Sequence, residues 1–191
     1  WQNPSLFATA ILKGKFIVQP TAPKPVISVN HGFFEKPFNV TISSSIPGMD
    51  IYYTLDGSNP SNSATASSAP SPLNIRIDPE DTNKRGNTPA VTLRAAAHKD
   101  GYEFSQVATQ TYIFINKINL QTEIPGHDWP QYNVNDQDID LLIDERVLND
   151  SRYNNEIHNA LTQVPSISIV TDNANLFDPQ KGIYVNAMQD G

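Results

Sequence analysis

Apolar and polar residues alternate with period two through the middle of the chain. From Phe38 onward, Phe38, Val40, Ile42 and Ile46 fall on one face and Asn39, Thr41, Ser43 and Ser45 on the other. Ile51, Tyr53 and Leu55 line up in the same way, as do Leu73, Ile75 and Ile77, and then Val91, Leu93, Ala95 and Ala97. With Val26 to Val29 before them and Thr109 to Asn116 after, the pattern predicts about six short strands separated by Gly, Pro, Asn and Ser clusters. Such spacing belongs to an antiparallel sandwich. The strand–helix rhythm of a parallel sheet is missing, so the expected fold class is mainly β.

The flanks read differently. Pro20, Pro23 and Pro25 hold the backbone extended and predict a stiff linker or an edge-strand entry. Ahead of it, Asn3-Pro4 suits the cap of a short helical turn and Lys15 to Val18 a strand. Beyond Gln131 the chain becomes rich in Asn and Asp, and Ile157, Ala160, Leu161 and Val164 then recur at helical spacing until Pro165. Ser166 to Val170 and Gly182 to Val185 read as two strands joined by a loop. One helix and two strands bury too little surface to stand alone, so this part leans on the sandwich or lacks its remainder. The expected division is an N-terminal segment and linker over 1–24, a sandwich over 25–116, and a small α+β C-terminal extension over 117–191.

Composition narrows the function classes. In 191 residues, 38% are hydrophobic and 17% charged, which is globular rather than disordered. The formal net charge of −7 and the lack of any Lys/Arg patch argue against nucleic acid as a partner. With no cysteine, disulfides, thiolate nucleophiles and Cys-type zinc sites are excluded. No apolar run approaches membrane-spanning length, and no stretch reads as a signal peptide. Trp1 at the start and the strand-like Gly182 to Val185 near the end suggest a segment of a longer precursor, with a leader removed.

Candidate chemistry is sparse. Asp56-Gly57 after an alternating strand is a hairpin signal, since Gly tolerates positive φ and Asp bonds its own downstream backbone. A glycosidase needs two carboxyls facing across one bond, roughly 5 to 9.5 Å apart. Glu35, Asp50 and Asp56 are candidates that nothing in the sequence pairs, so Asp56 is expected to shape a turn. Asp136, Asp138 and Asp140 have the spacing that opens an EF-hand loop, but Leu141 and Val147 occupy the places that need Gly and Glu. A solvated acidic connector is the favoured reading there. Its alternative is an irregular calcium site built from Asn133, Asp136, Asp138 and Asp140, and no other cofactor is indicated. His31, His98, His127 and His158 show no zinc-type pairing, and neither a nucleophile elbow nor a phosphate loop occurs. Phe33, Phe34, Tyr52, Tyr102 and Phe104 near turns could stack on sugar rings, although aromatics so placed also plug the ends of a sandwich.

Two stretches carry resemblances to known families. Residues 25–114, with the Pro-Gly before a strand, the Tyr-Thr-Leu-Asp-Gly-Ser turn, the Leu-Arg-Ala-Ala-Ala strand, the Lys-Asp-Gly turn and the closing Thr-Tyr, resemble the C-terminal Ig-like module of chitobiases and β-hexosaminidases. Residues 163–191 resemble the opening of a CotH-type spore-coat kinase domain, and Trp129-Pro130 with the Asp-rich run after it is similar to the connector between such modules. The resemblance implies an Ig-like antiparallel β-sandwich with no catalytic residues of its own, because the glycosidase chemistry of the first family lies in another domain. The phosphate-binding and catalytic motifs of the second are not in this sequence. The implied function is a non-catalytic accessory or spacer module of a secreted or cell-surface bacterial multidomain protein. Its partners would be neighbouring domains of the same precursor, with carbohydrate or a cell-surface glycan as the alternative.

Overall fold

A computed structural model describes residues 18–187. The features expected at Asn3-Pro4 and from Lys15 lie outside the described residues. Eight strands form two sheets. β1 (Val26–Ile27), β3 (Phe38–Ser43) and β6 (Leu73–Ile77) make the smaller one, in the order β1-β3-β6. The larger runs β2 (Gly32–Phe34), β8 (Ala108–Phe114), β7 (Ala90–His98), β4 (Asp50–Thr54) and β5 (Ser67–Pro70). Every pairing is antiparallel except β2 against β8.

The alternation is what builds this. Val40, Ile42, Ile75 and Ile77 from one sheet meet Ile51, Val91, Leu93, Ala95, Ala97, Tyr112 and Phe114 from the other, all in one core. Facing layers bury apolar surface from both sides while each sheet keeps a polar outer face. Phe38, Ile46, Tyr53, Leu55 and Leu73 close the periphery, as their phase along each strand requires. Tyr112 carries the one hydroxyl of that list that reaches across, donating to the Val29 carbonyl oxygen at 2.8 Å, and burial pushes its phenol up to about 12.

β2 and β5 were not expected. β2 is too short to show a period, and it pairs in the parallel sense by running beside the end of β8. β5 reads Ser-Ser-Ala-Pro with no apolar alternation, and it lies at the sheet edge, where a polar strand ending in Pro is tolerated.

After β8 the chain makes a 3-10 turn over Ile115–Leu120, then three short helices: α1 (Glu145–Leu148), α2 (Ile157–Gln163) and α3 (Ala174–Phe177). α2 occupies the stretch whose spacing predicts it, yet none of its residues is buried. Neither expected strand of the extension forms. Ser166 to Val170 takes no regular structure and lies against β8 and the loop after β4 without a ladder partner. Ser168 Oγ lies 2.8 Å from Thr111 Oγ1, and Val170 packs against Gly57. Gly182 to Val185 folds into turns against α3. A Cβ at Gly182 would sit 2.5 Å from the Leu176 carbonyl oxygen, a contact that only glycine permits. The extension thus leans on the sandwich.

Candidate functional site

Asp56 does shape a turn, though not a two-residue hairpin. β4 pairs with β5 across the whole of residues 55–66, and Asp56 organises that loop. Its Oδ1 accepts from the Ser58 N–H at 2.9 Å and the Ser58 hydroxyl at 2.6 Å, and its Oδ2 accepts from the Thr65 hydroxyl at 2.6 Å. The Ser63 hydroxyl joins the same network at 2.7 Å from Ser58 Oγ. Both carboxylate oxygens are occupied, as in an Asx turn extended by hydroxyls. Gly57 follows at φ +83, a left-handed backbone that glycine adopts without strain, and it lies beside Thr92 and Val170.

The loop forms one wall of a cleft of about 440 Å³ between the sandwich and the extension. Asn59, Asn62 and Ser63 stand on the loop side, His127, Asp128 and Trp129 on another, and Asp172 with Asn173 on a third. Three structural devices hold these walls. The buried Arg85 guanidinium donates to the backbone oxygens of Pro79 at 2.5 Å, Asp81 at 2.8 Å and Thr88 at 3.1 Å, so it serves as a strut. Burial pushes Arg85 below its ordinary value, against the opposing pull of Asp81, Asp78 and Glu80. Gly86, at φ +78, brings its backbone so close to residues 125–129 that a Cβ there would lie 2.9 Å from the Gly126 oxygen, and Asn87 N–H donates to the Pro125 oxygen at 2.7 Å. Asn173 Nδ2 donates to the Asp128 carbonyl oxygen at 3.1 Å, joining the two extension walls.

The cleft is lined by the carboxylates of Asp56, Asp128 and Asp172 and by the Arg85 guanidinium. Arg94 is nearby, but its Nη1 donates to the Gly57 carbonyl oxygen at 3.0 Å and lies 3.9 Å from Asp172 Oδ1. His127 Nδ1 sits 3.2 Å from Asp128 Oδ2. The side chains of Asp128 and Asp172 are 75% and 53% exposed. The arrangement can accept and donate hydrogen bonds to a ligand.

The aromatic candidates divide into two pairs and a fifth residue apart. Phe34 stacks on Phe38 at 4.2 Å between ring centroids and meets Tyr112 edge-on at 5.5 Å, and Tyr102 also packs against the core. These two plug the sandwich. Tyr52 and Phe104 meet His98 on the outer face of the larger sheet, with Phe104 stacked on the imidazole at 4.4 Å and Tyr52 edge-on to Phe104 at 5.1 Å. Phe33 lies elsewhere, beside His31, Thr111 and Ser168. The five therefore share no single surface.

In the acidic connector, Asn133 Nδ2 donates to Asp138 Oδ1 at 2.6 Å, and Asp140 Oδ1 accepts from the Leu142 N–H at 3.1 Å. Asp136 takes a left-handed φ of 58. Among the described residues no group of three or more His, Cys, Asp or Glu could hold a metal ion. Among them, too, no helix is long and apolar enough to cross a membrane.

Two facing, mostly antiparallel layers with a polar extension define a β-sandwich of the Ig-like kind. Residues 40–112, which span β3 to β8, match the family described as Fn3 associated. No curated protein and no solved structure is a significant match to the chain. The sequence named Asp56 as a turn former, His127 as an isolated histidine and Trp129 as part of a connector, and it did not bring them together with Asn62, Asp128 and Asp172, because these residues are far apart along the chain and belong to no motif.

Proposed function

We propose that this chain is a non-catalytic accessory module of a secreted or cell-surface bacterial protein, a spacer that sets the position of a neighbouring domain of CotH type. The observation that carries this reading is the state of Ser166 to Val170. Ser168 and Val170 face the sandwich, whereas Ile167 and Ile169 stand 89% and 80% exposed on the opposite side. Apolar side chains presented in a row on a seated segment are the surface that a further domain would cover. Support also comes from Asp56, whose carboxylate is consumed by its own loop, and from the Fn3 associated match over the sandwich.

The test has two arms. The chain by itself should neither hydrolyse chitin-type oligosaccharides nor turn over ATP, and clear activity in either assay would overturn the reading. Ile167→Cys and Ile169→Cys should react quickly with a maleimide in this chain and slowly in a longer protein that carries the downstream domain. Equal labelling in both would remove the positioning role.

A second reading is carbohydrate binding or adhesion through loop aromatics. The meeting of Tyr52, His98 and Phe104 on one outer face favours it. It requires a glycan response that Phe104→Ala abolishes.

A further inference from the structure

The cleft between the 55–66 loop and the extension has a chemistry that neither reading uses. Its volume of about 440 Å³ lies within the range of small-molecule sites, roughly 300–1,000 Å³, and suits one or two sugar rings. Its walls are set before any ligand arrives. Asp56 is fixed by the Ser58 and Thr65 hydrogen bonds, and the Gly86 approach fixes residues 125–129. Fixed walls reduce the ordering cost of binding.

The lining decides the ligand. Asn59 and Asn62 offer amides that both donate and accept, and Asp128 and Asp172 offer carboxylate oxygens turned largely to water. Trp129 adds a broad apolar ring next to them. Paired acceptors and amides suit adjacent hydroxyl groups, and an indole suits the C–H face of a pyranose ring. An anionic ligand is disfavoured, because the carboxylates of Asp56, Asp128 and Asp172 line the cleft, while the Arg85 guanidinium among them is buried and Arg94 lies beside Asp172. We propose that this cleft binds a neutral, polyhydroxylated ligand, a short saccharide, through Asn62, Asp128, Trp129 and Asp172. The inference is independent of the spacer reading and uses other residues than the outer-face aromatics.

The experiment is a titration of the full chain with chitotetraose, cellotetraose, xylotetraose and mannotetraose. Trp1→Phe is introduced first so that fluorescence reports Trp129. Calcium chloride and a heparin tetrasaccharide serve as counter-probes. At least one neutral oligosaccharide should give a saturable change, weakened about tenfold or more by Asn62→Ala, which removes a hydrogen-bonding amide, and by Asp128→Asn, which turns an acceptor oxygen into a donor. Asn62 is exposed and, among the described residues, its side chain makes no hydrogen bond, so its loss reads binding. Phe104→Ala should leave the titration unchanged. The proposal fails if no neutral oligosaccharide gives a saturable change, if both cleft variants bind as well as the parent, or if only calcium or the sulfated probe responds. A negative result leaves the maleimide and ATP experiments unaffected, so the two proposals fail separately.

Discussion

The interior of the sandwich and the seat of the extension are held together by different physics. Inside, Val40, Ile42, Ile51, Ile77, Val91 and Leu93 are removed from water completely, and each such side chain contributes about 1.5–3 kcal/mol. At the seat, the joining contacts are largely polar: Thr111 with Ser168, Arg94 with Asp172, and the Asn87 N–H with the Pro125 oxygen. A hydrogen bond of this kind nets about 0.5–1.5 kcal/mol, and an exposed ion pair about 0–1 kcal/mol. The extension adds a small apolar cluster of its own, in which Phe177 meets Trp129 at 5.9 Å and Tyr184 at 5.7 Å. The lesson is one of hierarchy. The sandwich sets the global stability, and the extension is a locally weaker unit resting on it.

Substitutions can pull the two regions apart. Leu93→Ala should cost about 2–5 kcal/mol in urea denaturation, because it leaves a cavity where both sheets contribute neighbours. A cost below 1 kcal/mol would mean that the facing layers are not the core. Next in size, Gly86→Ala forces a side chain into left-handed φ and against the Gly126 oxygen, at about 1–3 kcal/mol. Hydrogen exchange should then quicken over residues 125–129 while β7 stays protected. Uniform quickening would show that the seam is not local. Thr111→Val removes the hydroxyl contact to Ser168 and should cost about 1 kcal/mol or less. It should speed exchange over residues 164–172 only, and an effect spreading into β3 and β6 would contradict a separable seat.

The smallest expected effect concerns pH. Arg146, bonded to the Asp144 carboxylate at the start of α1 through its guanidinium and its N–H, holds that carboxyl down at about 2. A carboxyl lowered in the folded state stabilises fully above its unfolded value, and the contribution is lost as pH falls through about 2. Carbon-detected titration should find Asp144 low, and Arg146→Ala should return it toward the ordinary range. No rise in the variant would mean that the pair does not form in solution.

The sandwich was legible in the sequence because period-two alternation is a property of each strand alone. Phe38 to Ile42, Ile51 to Leu55, Leu73 to Ile77 and Val91 to Ala97 all place their apolar sets inward. β2 and β5 escaped because Gly-Phe-Phe and Ser-Ser-Ala-Pro carry no period, and only a neighbouring strand makes them strands. Ser166 to Val170 has the period without the neighbour, so the alternation is visible but no ladder forms. The turn role of Asp56 could be read from Asp-Gly, yet the length of its loop could not, because β5 was not recognisable as its pairing partner. The cleft was not legible at all, since it depends on the close approach of Gly86 to Gly126, a tertiary contact that leaves no trace in local composition.

The exposed row at Ile167 and Ile169 has a cost beyond docking. Ser166-Ile167-Ser168-Ile169-Val170 is uncharged, β-prone and, among the described residues, outside any strand pairing, the profile of a segment that nucleates cross-β assembly. Pro165 before it and Asp172 shortly after act as gatekeepers, one denying a donor and the other adding charge. Thioflavin binding by concentrated chain should rise when Pro165→Ala removes that guard and fall when Ile169→Lys is introduced. While the row is uncovered, solubility depends on those two flanking residues.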